Sequence, residues 1–266
     1  MKKIGIIGST GIKIELLAEK YSFESITADD REFKFYHGFT DNAEIFLTAR
    51  NQYAGSVPPH NVDYKLIMLG MKALGVDVII GTSVSGSLRP EIPPKTYLVL
   101  DQFLDFTKHT PFTAFDDDHF AFVDFSEPYC PTCRRHLIDA CEKAGVNYLS
   151  HGCYVGVDGP RYETNAEVRM YAMLGGDIVG MTNVTEAIMA RETGQCYASL
   201  SVVSNYGAGI DAKKTEVLRI DCYNKTMEAL DGTVAVLREF IKCYDGEKTC
   251  ACAEKISDML YSEAKK

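Results

Sequence analysis

The sequence predicts a single α/β domain in which a central, twisted mixed sheet is flanked by helices. Apolar runs of the buried-strand type recur along the chain, at residues 3–7, 76–81 and 196–203. Segments with helical spacing lie between and after them, at residues 65–75, 131–144 and 215–244. Strand and helix patterns that alternate in this way are typical of α/β folds. A chain of 266 residues with 46% apolar content can bury a substantial core, which favours one large domain.

The formal net charge is −9, and the Lys and Arg residues form no cluster. A nucleic-acid surface needs such a cluster to neutralise phosphates, so no nucleic-acid partner is expected. No apolar run approaches the length of a membrane span, and the first one stops after three residues at a glycine turn, unlike a signal peptide. We expect a cytoplasmic protein with one domain over residues 1–245 and a polar tail over residues 246–266.

The nine cysteines are an odd number in a chain too large to need disulfides, so reduced thiols are expected. The pair Cys130-Pro-Thr-Cys133 has a spacing that can bind zinc or cycle redox equivalents. A zinc site needs two further ligands, and the only comparable pair is Cys250-Ala-Cys252 in the polar tail. No metal is therefore expected.

The first predicted strand ends at Gly8-Ser9-Thr10-Gly11. A glycine turn there lets backbone N–H groups and a hydroxyl approach an anion, so Ser9 or Thr10 is a candidate phosphate contact. The glycines at positions 5, 8 and 11 do not fit the dinucleotide fingerprint, and no Gly-Lys-Ser/Thr follows, as a nucleotide-triphosphate loop requires.

Residues 32–48 predict a hairpin whose turn is Gly-Phe-Thr-Asp-Asn, and Arg50 stands at its end. Arg50 is a candidate for binding an oxyanion, although a lone Arg at a strand end is usually solvated. The segment that follows contains two prolines and is expected to be a surface or site loop.

The strand at residues 76–81 is followed by Thr82-Ser83-Val84-Ser85-Gly86-Ser87. Hydroxyls and glycines at the carboxyl end of a strand predict a second anion-binding corner, although hydroxyl-rich turns are common in general. Residues 96–107 predict one further strand. The acidic triplet at residues 116–118 lacks the spacing of a calcium loop and is expected to be solvated.

Residues 152–186 place unusual chemistry at two successive strand-to-helix corners, where ligands of α/β proteins usually bind. At the first corner Tyr162 could stack on a heterocycle and Glu163 could accept ring N–H groups. Alternatively, the Tyr packs and the Glu caps the following helix, in which Ala166, Val168, Met170 and Met173 are the candidate apolar positions.

At the second corner Thr182 precedes a helix that carries Glu186 in its first turns, and Thr182 could equally be a simple N-cap. The last central strand ends at Asn205. Its amide offers a paired donor and acceptor that suits a purine edge, although Asn is also common in turns. Residues 215–244 predict one long amphipathic helix.

Nine short segments, taken in chain order, resemble those of a known family. They are GIIGSTG, PPHNVDY, GSL, DQFLDFT, SEPYCP, GPRYET, GGDIVGMT, ARETG and VSNYGAGI. Together they resemble the trimeric purine nucleoside phosphorylase and methylthioadenosine phosphorylase family, from residue 3 to about residue 240. The resemblance implies reversible phosphorolysis of a purine nucleoside, with inorganic phosphate as co-substrate, no cofactor and no metal. It also implies a homotrimer with a site near each interface.

The resemblance assigns roles by position. Thr10, Arg50, Ser83 and Thr182 resemble phosphate ligands, Tyr162 and Met181 resemble ribose contacts, and Val84 and Gly180 would line the base pocket. Members that cleave 6-aminopurines carry Asp at the positions of Asn205 and Gly207, whereas 6-oxopurine members pair an Asn with a Glu, here Asn205 and Glu163. The expected substrates are 5′-methylthioinosine, inosine or guanosine, and methylthioadenosine is the alternative.

The sequence departs from the family in three places. Arg50-Asn51-Gln52 stands where the family usually has Arg-His-Gly, and weakened phosphate affinity is expected because the His beside the phosphate Arg is lost. Gly55 stands where another His is frequent. Ala121-Phe122-Val123 stands where the family has a His-containing strand near the subunit boundary, and Phe122, which the resemblance suggests faces a neighbour's pocket, would favour an apolar 5′ group. A nucleoside hydrolase and a non-catalytic purine-binding protein remain alternatives.

Overall fold

The computed structural model describes residues 1–115, 119–212, 216–254 and 260–262. The strands are β1 (Lys2–Gly8), β2 (Lys20–Ala28), β3 (Arg31–Phe39), β4 (Ala43–Ala49), β5 (Val78–Ser87), β6 (Tyr97–Val99), β7 (Gln102–Asp105), β8 (His119–Ala121), β9 (Tyr148–Leu149), β10 (Cys153–Gly156), β11 (Ile178–Gly180), β12 (Tyr197–Tyr206) and β13 (Leu260–Ser262). The helices are α1 (Tyr64–Ala73), α2 (Pro131–Ala144), α3 (Asn165–Met173), α4 (Asn183–Glu192), α5 (Arg219–Glu228) and α6 (Leu230–Cys243). The predicted α/β class is confirmed.

One mixed sheet forms the centre of the molecule. Its main path runs β2-β3-β4-β1-β5-β11-β10-β7, and β12 pairs with β5 and continues to β6 and β9. Strands β1, β4, β5 and β12 run parallel, whereas β2–β3, β3–β4 and β5–β11 are antiparallel pairs. β8 and β13 form a separate two-stranded sheet.

Apolar residues on the two faces of the sheet pack under different helices. Along β5 Ile79 belongs to a cluster that includes residues of α1 and α4, and Ile80 belongs to a cluster that includes residues of α2 and α6. This alternation follows from the two-residue period of a strand. In the part of the chain that the structure describes, no helix is long and apolar enough to cross a membrane.

The strand pairing of β5 leaves an opening in the sheet. β1 pairs with β5 over Val78–Gly81, and β11 pairs with Gly86 and Ser87 on the main sheet path. Neither strand pairs with residues 82–85. Because β11 runs antiparallel to β5 while β1 runs parallel to it, the carboxyl ends of β1 and β11 approach each other across this opening. The segments that follow the two strands are thereby brought together.

Four details of the sequence prediction are wrong. Residues 82–87 form no corner, because they continue β5 and pair with β12 as far as Ser87. The strand expected at residues 96–107 is two short strands, β6 and β7. Ala166, Met170 and Met173 are exposed, and the buried side of α3 is formed by Val168 and Tyr171.

The fourth difference is the long C-terminal helix, which is split into α5 and α6 at Ala229. The hydroxyl of Tyr97 donates a hydrogen bond to the Ala229 carbonyl. Gly232 makes this approach possible, since a Cβ there would lie 2.4 Å from the Tyr97 oxygen. The acidic triplet and Thr215 lie outside the described residues.

Candidate active site

A cavity of about 580 Å³ lies at the opening beside β5. Its walls come from the ends of β1, β4, β11 and β12 and from the central part of β5. The structure brings together at this cavity ten of the eleven site residues expected from the sequence: Thr10, Arg50, Ser83, Val84, Tyr162, Glu163, Gly180, Met181, Thr182 and Asn205. A larger surface groove of about 880 Å³ lies beside α6 and contains none of them.

Arg50 follows β4 and is held at the cavity by a buried carboxylate. Its Nε lies 2.6 Å from Glu186 Oε1 and its Nη2 lies 3.1 Å from Oε2, while Nη1 donates to the carbonyls of Thr82 at 2.9 Å and Gly8 at 3.4 Å. Burial alone would lower the pKa of Arg50, but Glu186 outweighs it and raises that pKa. Four of the five guanidinium N–H groups are thus engaged, which leaves one for a ligand.

A chain of buried hydrogen bonds fixes Glu186, which is fully buried. The hydroxyl of Tyr197 donates to Glu186 Oε2 at 2.8 Å, Asn183 Nδ2 donates to the Tyr197 oxygen at 3.0 Å, and the Tyr129 hydroxyl donates to Asn183 Oδ1. Burial raises the pKa of both tyrosines, so they stay protonated donors. Glu186 has no predicted role in the sequence. Its position among apolar residues of α4 is the one local sign that this carboxylate is buried.

Three hydroxyl-bearing residues accompany Arg50. Ser83 is buried and its Oγ has no hydrogen-bond partner within the described chain, which is unusual for a buried hydroxyl. Thr182 precedes α4 but its side chain makes no capping hydrogen bond, so the simple N-cap alternative is wrong. Thr10 is exposed at the cavity mouth. The backbone N–H of Ser9, which the sequence offered as an anion donor, already donates to Thr82 Oγ1 at 2.7 Å.

The two residues after Arg50 bind their own surroundings. Asn51 donates to the Gly55 carbonyl and accepts from the Tyr53 N–H at 3.1 Å. Gln52 accepts from the Lys34 N–H at 2.8 Å and donates to Thr48 Oγ1 at 2.7 Å. Both side chains therefore stabilise the loop and its attachment to β3 and β4, and the hydrogen bonds described here do not reach into the cavity.

Asn205 lies at the far end of the cavity with a fixed amide orientation. Its Nδ2 donates to the Tyr206 carbonyl at 2.9 Å, and because a carbonyl can only accept, the nitrogen must face it. Its Oδ1 accepts from Ser204 Oγ at 2.7 Å and from Cys222 Sγ at 3.3 Å. One N–H of the amide remains for a ligand. Cys222, from α5, lines the cavity and was not identified from the sequence, which contains no signal for it.

Glu163 stands near Tyr162 and is half-buried. Burial raises the pKa of its carboxyl group. The alternative in which Glu163 caps α3 is wrong, because Thr164 and Glu167 form the capping box. Among the described residues no side chain donates a hydrogen bond to Glu163, so its carboxylate is available as an acceptor. Burial and then the neighbouring Cys222 raise the pKa of Tyr162 to about 12.

The remaining wall is formed by Val84, Gly180 and Met181. A Cβ at Gly180 would lie 2.2 Å from the Tyr154 hydroxyl oxygen, so only glycine allows this close approach. Phe122 is the one expected site residue that does not line the cavity; in the single chain it is 73% exposed.

Comparison with known proteins gives concordant results. The model of the family described as "Phosphorylase superfamily" matches residues 3–242. A 6-oxopurine nucleoside phosphorylase of Pyrococcus furiosus is 38% identical, over 96% of this chain and 98% of that protein. A protein of Thermodesulfovibrio yellowstonii named probable S-methyl-5′-thioinosine phosphorylase is 34% identical, over 97% of both chains.

Solved structures agree with the sequence comparison. A crystal structure of a methylthioadenosine phosphorylase from an antarctic soil metagenomic library has a TM-score of 0.89 and 26% identity. The match covers 98% of this chain and 92% of that one.

Proposed function

Because this chain belongs to the phosphorylase superfamily, we propose that it is a purine nucleoside phosphorylase, a pentosyltransferase that acts on 6-oxopurine nucleosides. It transfers the ribosyl or 5-methylthioribosyl group of inosine, guanosine or 5′-methylthioinosine to inorganic phosphate. Methylthioadenosine is the alternative substrate, which the structural neighbour's name favours.

One observation carries the proposal. A single cavity joins an end with an anchored cation and an unpartnered hydroxyl, Arg50 and Ser83, to an end with a hydrogen-bond acceptor and an amide donor, Glu163 and Asn205. The first end suits an oxyanion and the second suits the edge of a 6-oxopurine. A nucleoside placed between them has its sugar beside the anion.

The reaction needs little covalent chemistry from the protein. An oxygen of hydrogen phosphate forms a bond to C1′ while the bond from C1′ to the purine nitrogen breaks, and its electron pair leaves with the base. The proton of hydrogen phosphate ends on the purine, so the products are the free base and ribose 1-phosphate. Catalysis consists of positioning the phosphate and stabilising charge on the departing base. Thr10, Arg50, Ser83 and Thr182 are proposed for the first task.

Glu163 and Asn205 are proposed for the second task. The Glu163 carboxylate accepts from N1–H, a hydrogen that adenine lacks, and the remaining N–H of Asn205 donates to O6. Asn205 Oδ1 already accepts hydrogen bonds from Ser204 and Cys222. It can accept from N7–H of the base only if the weaker of these, the hydrogen bond from the Cys222 thiol, breaks. Members of the family that cleave 6-aminopurines carry Asp at the position of Gly207. The backbone disfavours a side chain there, since a Cβ at Gly207 would lie 3.0 Å from the Ser87 carbonyl oxygen.

Tyr162 and Met181 are proposed to contact the ribose, and Val84 and Gly180 the base. The proposed reaction needs no cofactor besides its co-substrate phosphate. We propose a homotrimer in which Phe122 reaches the 5′ end of a neighbour's substrate, since it does not line its own cavity. Nine free thiols favour a reducing cytoplasm.

The test is the release of free base from 5′-methylthioinosine, inosine, guanosine and methylthioadenosine, each with and without phosphate. Phosphate-dependent release from the three 6-oxopurine nucleosides is expected. Preferential cleavage of methylthioadenosine would keep the reaction class and overturn the base assignment. Release without phosphate would indicate a hydrolase, and tight base binding without release would indicate a non-catalytic purine-binding protein.

A further inference from the structure

Four cysteines from three separate segments meet on the side of the sheet that α2 and α6 cover. Cys130 precedes α2, Cys196 precedes β12, and Cys250 and Cys252 belong to the C-terminal tail. The four Sγ atoms all lie within 4.8 Å of one another. Cys130, Cys196 and Cys252 are buried, and Cys250 is partly exposed.

Contacts outside the sulfur atoms hold these segments together. The N–H of Cys130 donates to the Tyr197 carbonyl at 2.8 Å, which fixes the start of α2 beside the start of β12. The hydroxyls of Thr132 and Thr249 lie 2.9 Å apart, which fixes the tail beside α2. The convergence of the thiols is thus supported by the backbone and by neighbouring side chains, so the four positions are defined without any ion.

The sulfur spacing suits a tetrahedral metal ion. A zinc–thiolate bond of about 2.3 Å gives a tetrahedron whose sulfur–sulfur edges are about 3.8 Å. The Sγ atoms of Cys196 and Cys250 are 3.4 Å apart, and all nine cysteines are free thiols. Shifts of less than about 1 Å would bring four sulfurs to the zinc distance.

From this arrangement we propose that Cys130, Cys196, Cys250 and Cys252 bind one structural Zn²⁺ ion. Four thiolates complete the coordination shell, so the site has no open position for catalysis, and a soft all-sulfur set selects zinc over the hard cations. The proposal is independent of the proposed reaction.

The position of Cys130 favours a negatively charged ligand. Cys130 lies at the N-terminus of α2, a helix of 14 residues, where the helix dipole stabilises negative charge. Cys141 is a buried cysteine of the same helix that lies outside the four-sulfur group. It therefore provides a matched control.

A zinc ion here would connect the tail to the interior of the protein. Cys130 and Cys196 directly follow and precede Tyr129 and Tyr197, the two tyrosines that hold Asn183 and Glu186. Metal binding in the native state alone would stabilise the fold.

The experiment measures zinc in the full-length chain, expressed without a histidine tag and purified under reducing conditions. Elemental analysis is expected to give one zinc per chain. Replacement of zinc by Co²⁺ is expected to produce the visible d–d bands and the charge-transfer absorption of tetrahedral cobalt thiolate. Removal of zinc by a chelator should lower Tm, and added Zn²⁺ should restore it. These results on the unaltered protein do not depend on whether any variant folds.

Variants locate the ligands. Cys250→Ser and Cys252→Ser should lose zinc to background, whereas Cys141→Ser should keep one equivalent; Cys133→Ser should also keep it, since Cys133 is outside the four-sulfur group. Two outcomes would overturn the proposal. One is a zinc-free protein whose nine thiols all titrate after denaturation, and the other is a zinc-free protein with two fewer thiols, which would indicate a disulfide.

Discussion

The thiol of Cys222 lies 3.3 Å from the side-chain oxygen of Asn205, inside the cavity where we propose that the purine binds. The contact ties the residue proposed to select the base to α5, the next helix after β12 in the chain. Because burial raises the pKa of Cys222, the sulfur is a thiol at neutral pH and donates its hydrogen. This relationship makes the base end of the site sensitive to thiol chemistry.

We expect a small maleimide to inactivate the protein by modifying Cys222, because the adduct would fill the base end of the cavity. Since only the thiolate reacts, the rate should rise about tenfold per pH unit and continue to rise beyond pH ~8.5, where an ordinary thiol levels off. Free purine should protect. Cys222→Ala should lose the sensitivity, whereas Cys153→Ala, which changes a half-buried cysteine outside the cavity, should retain it. Equal inactivation of Cys222→Ala would show that another cysteine is responsible.

Glu163 is expected to set the acidic limit of activity on inosine. It must be ionised to accept N1–H, and burial raises its pKa, so kcat/KM should fall as pH decreases through a value above the ordinary 4.3 or so. Glu163→Gln should remove this limb and cost about 10- to 100-fold in kcat/KM at neutral pH. Glu167→Gln is the control, because it alters the cap of α3 and should keep the limb. An unchanged acidic limb in Glu163→Gln would refute the assignment.

Replacing Arg50 alone is expected to destabilise the fold more than replacing Arg50 and Glu186 together. Arg50→Met leaves a fully buried carboxylate without its cation, which costs about 3–5 kcal/mol and lowers Tm by roughly 6–20 °C in a chain of this size. The double variant Arg50→Met with Glu186→Leu should recover most of the Tm and remain inactive. Calorimetry and the phosphorolysis assay separate the two effects. A single variant as stable as the double one would contradict the prediction.

Asn51→His is expected to strengthen phosphate binding. The Asn51 side chain is engaged by Gly55 and Tyr53, whereas an imidazole from the same position could supply a further donor to the anion. The KM for phosphate should fall about tenfold, while the KM for the nucleoside should change little. Gln52→His is the control, since Gln52 is directed to β3 and β4. If the KM for phosphate is equally low in the unaltered protein and in Asn51→His, the hypothesis that Asn51 weakens phosphate binding is wrong.

Phe122→Ala is expected to reduce the preference for 5′-methylthioinosine over inosine. The loss of an apolar contact with the methylthio group should lower the ratio of the two kcat/KM values about tenfold. Phe112→Ala removes another highly exposed aromatic side chain and should leave the ratio unchanged. Light scattering on the same samples should give the mass of a trimer. If the protein is a monomer and Phe122→Ala leaves the substrate ratio unaltered, Phe122 is not part of the site.

The features that the sequence predicts well are local. The sequence predicts the two corners at residues 158–163 and 181–182 because each follows a short apolar strand and precedes a helical pattern, and such signals lie within a few residues. It predicts the hairpin at residues 32–48 and helix α2 for the same reason.

The features that the sequence does not predict depend on long-range pairing. Nothing near Ser83 shows that β12 extends the strand to Ser87, or that β11 runs antiparallel to β5 and so leaves an opening. The same is true of Glu186, which lies 136 positions from Arg50, and of Cys250, which lies 54 positions from Cys196. Residues that meet only after folding leave no spacing pattern to read.

The buried ion pair of Arg50 and Glu186 also limits how this pocket can diverge over generations. A mutation at either position alone leaves an uncompensated charge, so a lineage can replace the pair only through a destabilised intermediate or a simultaneous double change. Glu163 and Asn205 make no hydrogen bond to a buried ion among the residues described, so each can change singly. Replacements at the base end therefore carry a smaller stability cost than replacements of the ion pair that anchors the anion end.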